Sequence, residues 1–308
     1  MKEPTATIFD IQGFSVHDGP GCRSVVFFKG CPMCCEWCCN PEGISTTNTL
    51  LYNQSKCVFD ENCIKACPEN AISIIDGRIH VNHEKCSYCT NQVCVKACYS
   101  DALSLVGKKY TVNELFDRIQ RDRPFWGEHG GVTLSGGEPF LQTGFVTAFL
   151  KKCYNAYIHT AVETCGNVPW KNYSDAIDYI DWIFFDLKQF NSKDHVKLTA
   201  VNNQLILKNA VALAKHSKAR FVFRMVLIPG FNDTEKHLKQ VADFLKQVDK
   251  NEINILPLHH LGREKYTMLN KTYHALKFPV PTKNNLERVK KFFENQSITC
   301  YIGSVTPF

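Results

Sequence analysis

Thirteen of this chain's sixteen cysteines crowd between Cys22 and Cys98, and what they hold decides which folds are open to it. The tightest group is Gly30-Cys31-Pro32-Met33-Cys34-Cys35-Glu36-Trp37-Cys38-Cys39, placed directly after the apolar run Val25-Val26-Phe27-Phe28. Cys31, Cys35 and Cys38 stand in Cys-x3-Cys-x2-Cys spacing with Trp37 before the last thiol. Three thiolates on a loop that follows a strand hold three irons of a 4Fe-4S cube and leave the fourth iron open. An electron carrier normally has four protein ligands, so a group of three marks a place where something else completes the coordination. A Cys-x2-Cys-x3-Cys reading through Cys34 is the alternative, and Cys39 has no assigned role.

The rest of the composition narrows the cysteine chemistry. With 308 residues, 44% hydrophobic and 21% charged, the chain reads as globular, with room for one large domain and a small insert. No apolar run reaches the about 18 residues of a membrane span, and no basic region leads into an apolar stretch at the N-terminus. The expected compartment is therefore the cytoplasm, where metal ligation outranks disulfides, and cluster-like spacing outranks zinc. The net charge of +6 is scattered without interleaved aromatics, so no nucleic-acid or membrane partner is expected.

Along the chain, residues 1–21 read as a lead-in with the turn Asp18-Gly19-Pro20-Gly21, and Arg23 to Lys29 as a first, fully buried strand. Thr111-Val112-Asn113-Glu114 is a capping box opening a helix to about Arg121. Strand runs follow at Val132–Leu134, His159–Val162, Trp182–Phe185, Phe221–Leu227 and Glu252–Leu256, with helical patterns near 144–155, 172–180, 204–216 and 234–248. A last helix at 284–295 precedes the run Ile298–Ile302. This alternation predicts an α/β fold with parallel strands, six strand-helix units, short of a closed barrel of eight. Site residues are then expected at the C-terminal strand ends. The expected division is 1–49 for the lead-in, first strand and cluster loop, 50–106 for an insert, and 107–308 for the remainder of the barrel.

The insert carries two cysteine runs. Cys86-x2-Cys89-x4-Cys94-x3-Cys98 is close to the bacterial ferredoxin pattern, in which the last cysteine serves the other cluster. The first run, Cys57-x5-Cys63-x3-Cys67-Pro68, lacks a middle cysteine, whose place falls to Asp60. By that exchange one cluster takes Cys86, Cys89, Cys94 and Cys67, and the other takes Cys57, Cys63 and Cys98 with Asp60 or water. A carboxylate is a harder ligand and makes the second cluster labile, or 3Fe-4S. The insert reads as an electron relay or a docking surface; the plainer alternative is a pair of clusters that staple a module too small for a core of its own.

Ser135-Gly136-Gly137-Glu138-Pro139 after the second barrel strand combines glycines that permit close backbone approach with a carboxylate able to accept from an ammonium. The three-cysteine loop, its place after the first strand, the preceding Ser15-Val16-His17-Asp18-Gly19-Pro20-Gly21 and this segment together resemble the radical S-adenosylmethionine (SAM) enzymes that activate glycyl radical enzymes. The likeness spans nearly the whole chain, from Ile8-Phe9-Asp10-Ile11-Gln12 to Cys300-Tyr301-Ile302-Gly303. Some segments look closest to activases of 4-hydroxyphenylacetate decarboxylase, and His159–Thr164 with Val168-Pro169-Trp170-Lys171 to those of pyruvate formate-lyase type.

The resemblance implies a partial (βα)6 TIM-like barrel. It implies that SAM binds the open iron and is reductively cleaved to methionine and a 5'-deoxyadenosyl radical, which takes a hydrogen atom from a glycine of a separate enzyme. It assigns cofactor contacts to Trp37, Gly136, Gly137, Glu138, Glu163, Thr164, Asp186, Lys188, Arg224 and His259, with His260 the alternative to His259. A monovalent cation beside the SAM carboxylate, served by oxygens of Glu163, Thr164 and Asp186, a flavodoxin or ferredoxin-type electron donor and a monomeric state are further expectations. Cys153, Cys165 and Cys300 read as buried small hydrophobes. A radical SAM enzyme for a small molecule and a polyferredoxin electron carrier are the rival readings.

Overall fold

The computed structural model describes residues 3–87, 89, 91–304 and 306. Its frame is one open sheet of nine strands in the order β13-β12-β11-β10-β9-β8-β2-β1-β7. The strands, in chain order, are β1 (Thr5–Ser15), β2 (Arg23–Phe28), β3 (Thr49–Tyr52), β4 (Ile72–Ile75), β5 (Arg78–Val81), β6 (Leu103–Val106), β7 (Lys108–Thr111), β8 (Gly131–Gly136), β9 (His159–Thr164), β10 (Trp182–Asp186), β11 (Arg220–Leu227), β12 (Glu252–Pro257) and β13 (Thr299–Ile302). The six expected parallel strands are β2 and β8 to β12, each paired with its neighbour in parallel, and β13 adds a parallel edge. Residues 5–15 are not a lead-in. They form an eleven-residue strand that pairs antiparallel with β2 and β7, because Ala6 and Ile8 alternate into the core while their neighbours face outward.

Helices α1 (Asn62–Lys65), α2 (His83–Cys86), α3 (Val93–Lys96), α4 (Val112–Gln120), α5 (Thr143–Asn155), α6 (Lys171–Ser174), α7 (Ser192–Thr199), α8 (Gln204–His216), α9 (Glu235–Gln247), α10 (Arg263–Met268) and α11 (Lys283–Glu294) complete the chain. The capping box at the start of α4 is formed as the sequence predicts, with the Glu114 backbone N–H donating to the Thr111 hydroxyl. The helix expected at 172–180 is instead the single turn α6 and a short 3-10 segment, Ile177–Tyr179. Alternate strand residues such as Val162, Phe185, Phe223 and Ile255 pack under the helices as one core. The opposite parity, including Ser135, Glu163, Asp186 and Arg224, faces the concave side.

The insert leaves and rejoins this sheet through a two-stranded neck in which Thr49 pairs with Val106 and Tyr52 with Leu103. It has its own apolar cluster of Leu50, Tyr52, Ile72, Ile79, Val81 and Leu103. It docks on the end of α10: Asn270 accepts the Val81 N–H at 3.0 Å and donates to the Ile79 carbonyl at 3.3 Å, and the His83 ring donates to the Leu269 carbonyl at 2.8 Å. At its other end α10 holds the cysteine loop, with Lys265 Nζ 3.0 Å from Asn40 Oδ1 and 2.5 Å from Glu42 Oε1.

Candidate active site

The loop after β2 is fixed at both ends by backbone pairs. Gly30 N–H donates to the Gly43 carbonyl at 2.7 Å and Cys31 N–H to Ile44 at 2.9 Å, while Cys34 and Glu36 donate to Thr199 and Leu198 at the end of α7. The loop brings Cys31, Cys35 and Cys38 into one another's electrostatic reach, whereas Cys34 is exposed. Burial pushes the Cys35 thiol up to about 12, with Lys188 opposing, and burial with Cys35 raises Cys38 as well. Cys31 is held below an ordinary thiol, chiefly by a hydrogen bond from the Cys165 side chain. Among the described residues no three His, Cys, Asp or Glu side chains converge on one point as a single metal ion needs. A cube spreads its thiolates around its corners, and three thiols on one pinned loop fit that donor set.

Beside the loop a polar row crosses four adjacent strands. Ser135 donates to Glu163 Oε2 at 2.5 Å, Arg224 donates to Glu163 at 2.6 Å and to Asp186 at 3.2 Å, and Lys188 donates to Asp186 at 2.9 Å. Two carboxylates and two cations therefore form a closed, neutral quartet, with the guanidinium lying over the Phe184 ring at 5.0 Å. Burial pushes the Glu163 carboxyl up and Arg224 pulls it back. Burial also acts to raise Asp186, but Lys188 and Arg224 outweigh it and hold that carboxyl below its usual range. The ammonium of Lys188 also bears on Cys35, which ties the quartet to the cysteine loop.

Glu138 is fully buried, and protein donors already engage its carboxylate: the Thr164 hydroxyl and Cys165 N–H at 2.8 Å each, and Phe140 N–H at 3.2 Å. It staples the end of β8 to the end of β9. The adjoining glycines serve close backbone packing, since a Cβ on Gly137 would lie 2.1 Å from the Gly30 carbonyl and one on Gly136 2.4 Å from the Phe28 nitrogen. Trp37 is buried against Leu198, Ile228, Leu258 and Tyr266. His259 is exposed and lies 3.9 Å from Cys39 Sγ, while His260 turns to the Tyr273 hydroxyl at 3.3 Å. Cys165 is buried in the main core, as its sequence reading expects, but it also sits against Cys31, which that reading missed; its place directly after Thr164 at a strand end was the available signal.

The Radical SAM superfamily profile matches residues 83–245, which is more than half of the chain, and a 4Fe-4S binding domain profile matches 50–73. The chain is 39% identical over 313 residues to the 4-hydroxyphenylacetate decarboxylase activating enzyme of Clostridium scatologenes, covering 100% of both. This chain belongs to the radical SAM activating enzymes of glycyl radical enzymes. It is also 37% identical to the trans-4-hydroxy-L-proline dehydratase activating enzyme of Clostridioides difficile, over 96% of this chain and 98% of that one. A solved domain of a pyruvate-formate lyase-activating enzyme from Bacteroides vulgatus ATCC 8482 overlays with TM-score 0.48 at 29% identity, covering 56% of this chain and 99% of that domain. The superfamily match begins at His83, so it takes in the end of the insert and the barrel through α9, not the Cys31 loop.

In the insert of this activase, Cys63 has Cys98, Cys57 and Asp60 as electrostatic neighbours. Cys94 has Cys67, Cys86 and Cys89 as its own. Asp60 caps the turn before α1, accepting from Asn62 N–H at 3.1 Å and Nδ2 at 2.9 Å. No helix among the described residues is long and apolar enough to cross a membrane.

Proposed function

We propose that Cys31, Cys35 and Cys38 hold a 4Fe-4S cluster whose open iron takes SAM, and that the chain thereby activates a separate glycyl radical enzyme. The observation that carries this is the pinned three-thiol loop beside a neutral ion quartet, at the strand ends where a barrel of this kind works. When bound, the cluster supplies one electron to cleave SAM, and the 5'-deoxyadenosyl radical so formed takes a hydrogen atom from the partner's glycine. The chain's own groups orient and shield. Glu138 fixes the Gly136-Gly137 turn against the loop, and Thr164 is held by Glu138. Trp37 and His259 line the side toward the nucleoside. Arg224 and Lys188, balanced by Glu163 and Asp186, set the potential around the SAM carboxylate. A monovalent cation beside Asp186 would share that carboxylate with Arg224 and Lys188, and SAM affinity measured with and without potassium tests it.

The reading of the insert follows the thiol neighbourhoods. Cys67, Cys86, Cys89 and Cys94 hold one cluster, and Cys57, Cys63 and Cys98 with Asp60 hold a second, within a module bounded by residues 50–106 between 1–49 and 107–308. The module receives electrons from a flavodoxin or ferredoxin-type donor. The activase works as a cytoplasmic monomer in anaerobic metabolism, and its partner is a decarboxylase of the 4-hydroxyphenylacetate kind or a pyruvate formate-lyase-like enzyme. Anaerobic incubation of reduced, iron-reconstituted protein with SAM and each candidate partner tests the whole. A glycyl radical in the paramagnetic resonance spectrum and 5'-deoxyadenosine on chromatography are expected. Intact SAM with every partner refutes it.

A further inference from the structure

Two asparagines at the strand ends belong to none of the groups described above. Asn203 is 4% exposed and Asn232 is fully buried. Asn203 is the N-cap residue of α8, where an asparagine ordinarily turns its side-chain oxygen to the N–H groups of its own first turn. Here it makes no such bond. Its amide reaches instead to the loop after β10 and donates to two successive carbonyls, Gln189 at 2.9 Å and Phe190 at 2.7 Å. Asn232, in the loop after β11, accepts the Ile228 N–H at 2.7 Å and donates to the Val226 carbonyl at 2.7 Å and the Lys188 carbonyl at 3.4 Å. The carbonyls of residues 188 to 190, just past the end of β10, are thus each met by a side-chain amide.

Lys188 opens that triplet, with its Nζ 2.9 Å from Asp186 Oδ2. Its stem is long and flexible, so keeping the ammonium in one place depends on a fixed backbone beneath it. An amide suits this task. It offers two donors to carbonyls that burial would otherwise leave unpaired, and it brings no charge to upset the neutral quartet nearby. We infer that Asn203, with Asn232, is a positioning residue that locks the 188–190 backbone so that the Lys188 ammonium stays between Asp186 and the SAM carboxylate. This rests on the reading that the Cys31 loop binds SAM with Lys188 beside its carboxylate. An amide that served the fold alone would act on SAM independently of Lys188; the assigned role makes the two residues act as one unit.

The test is a double-mutant cycle of Asn203→Leu and Lys188→Met on the iron-reconstituted protein, with SAM affinity read by anaerobic calorimetry and backbone amide exchange followed over residues 187–191. Leucine keeps the branched shape of asparagine and removes both donors. With Lys188 in place, Asn203→Leu should weaken SAM binding about tenfold; in the Lys188→Met background it should change it by less than about twofold, since no ammonium is left to misplace. Exchange over 187–191 should quicken about tenfold in both backgrounds. Should the leucine variant fail to fold or to take up iron, Asn203→Ser, which keeps one donor, is read in the same cycle with a smaller shift expected. Unchanged SAM affinity with Lys188 in place overturns the inference. An equal loss in both backgrounds also overturns it, because Asn203 then acts on SAM without Lys188. If the parent takes up no SAM, the reading of the Cys31 loop fails, and exchange alone decides on the clamp: parental rates over 187–191 in the Asn203 variant overturn it, and faster rates there sustain it.

Discussion

Replacing Arg224 by Met is the sharpest test of the ion quartet, because it removes one charge from a buried set of four. Methionine keeps an unbranched stem over Phe184, so packing changes little. Glu163 would then retain Ser135 as its partner at 2.5 Å, and Asp186 would retain Lys188 at 2.9 Å. Breaking a buried pair by deleting one partner costs about 3–5 kcal/mol. A second route gives the ceiling. The protein can always take up a proton on Glu163, and moving an ordinary carboxyl by about three pH units to stay neutral at pH 7.5 costs about 4 kcal/mol.

The two figures agree, and the second fixes the pH dependence. In the variant the folded-state Glu163 pKa lies far above its unfolded value, so the native state binds the extra proton and loses stability as pH rises through that window. Its deficit should shrink by about 1.4 kcal/mol for each pH unit on going from pH 7.5 toward the ordinary carboxylate range. In the parent, Asp186 is held low, so its contribution fades as pH falls, and Glu163, raised by burial but drawn back by Arg224, keeps a smaller share of the opposite trend. The two stability curves therefore converge in acid. Urea unfolding of the metal-free proteins at a series of pH values measures this. A deficit under about 1 kcal/mol at pH 7.5, or one that does not vary with pH, would show that these carboxylates are not electrostatically dependent on Arg224.

Cys35→Ala should abolish 5'-deoxyadenosine formation while insert iron is retained, which chromatography and iron assay read together. Gly137→Ala drives a methyl group into the Gly30 carbonyl, 2.1 Å from the ideal Cβ, and should cost about 1–3 kcal/mol in a melt together with weakened SAM binding by calorimetry. Asn270→Ala leaves the Val81 N–H without its acceptor and should loosen the insert by about 1–3 kcal/mol, seen as faster proteolysis near β5 with the barrel fragment intact. Equal cleavage rates would show that Asn270 does not hold the docking.

Much of this site was legible because its chemistry depends on spacing along one loop. Cys31, Cys35 and Cys38 need no tertiary information to be recognised as a set, and the apolar runs of β8 to β12 mark strands buried on both faces. Where the reading stopped short, a distant residue was responsible. Glu138 looks like a free ligand in sequence, and only the return of β9 beside β8 shows Thr164 and Cys165 joining the local Phe140 N–H on its oxygens. Arg224 and Lys188 read as cations for a substrate carboxylate until Glu163 and Asp186 are seen across the strands. Residues 5–15 alternate too weakly, with Asp10 and Gly13 among them, to announce a strand, and pairing with both β2 and β7 stabilises what propensity does not. Cys165 belongs to the site through its neighbour Cys31, and its place just past the end of β9 is the one local hint of that.

The neck formed by β3 and β6 means that the polypeptide departs from the barrel and returns to it at nearly the same spot. Everything between is a detachable cassette: cutting it away and splicing Thr49 to Val106 would leave the sheet's strand order unbroken. The module that carries Cys57 to Cys98 and the barrel that carries the Cys31 loop are thus separable parts of one chain, free to be exchanged or redesigned one without the other, with Asn270 as the clip to be reworked.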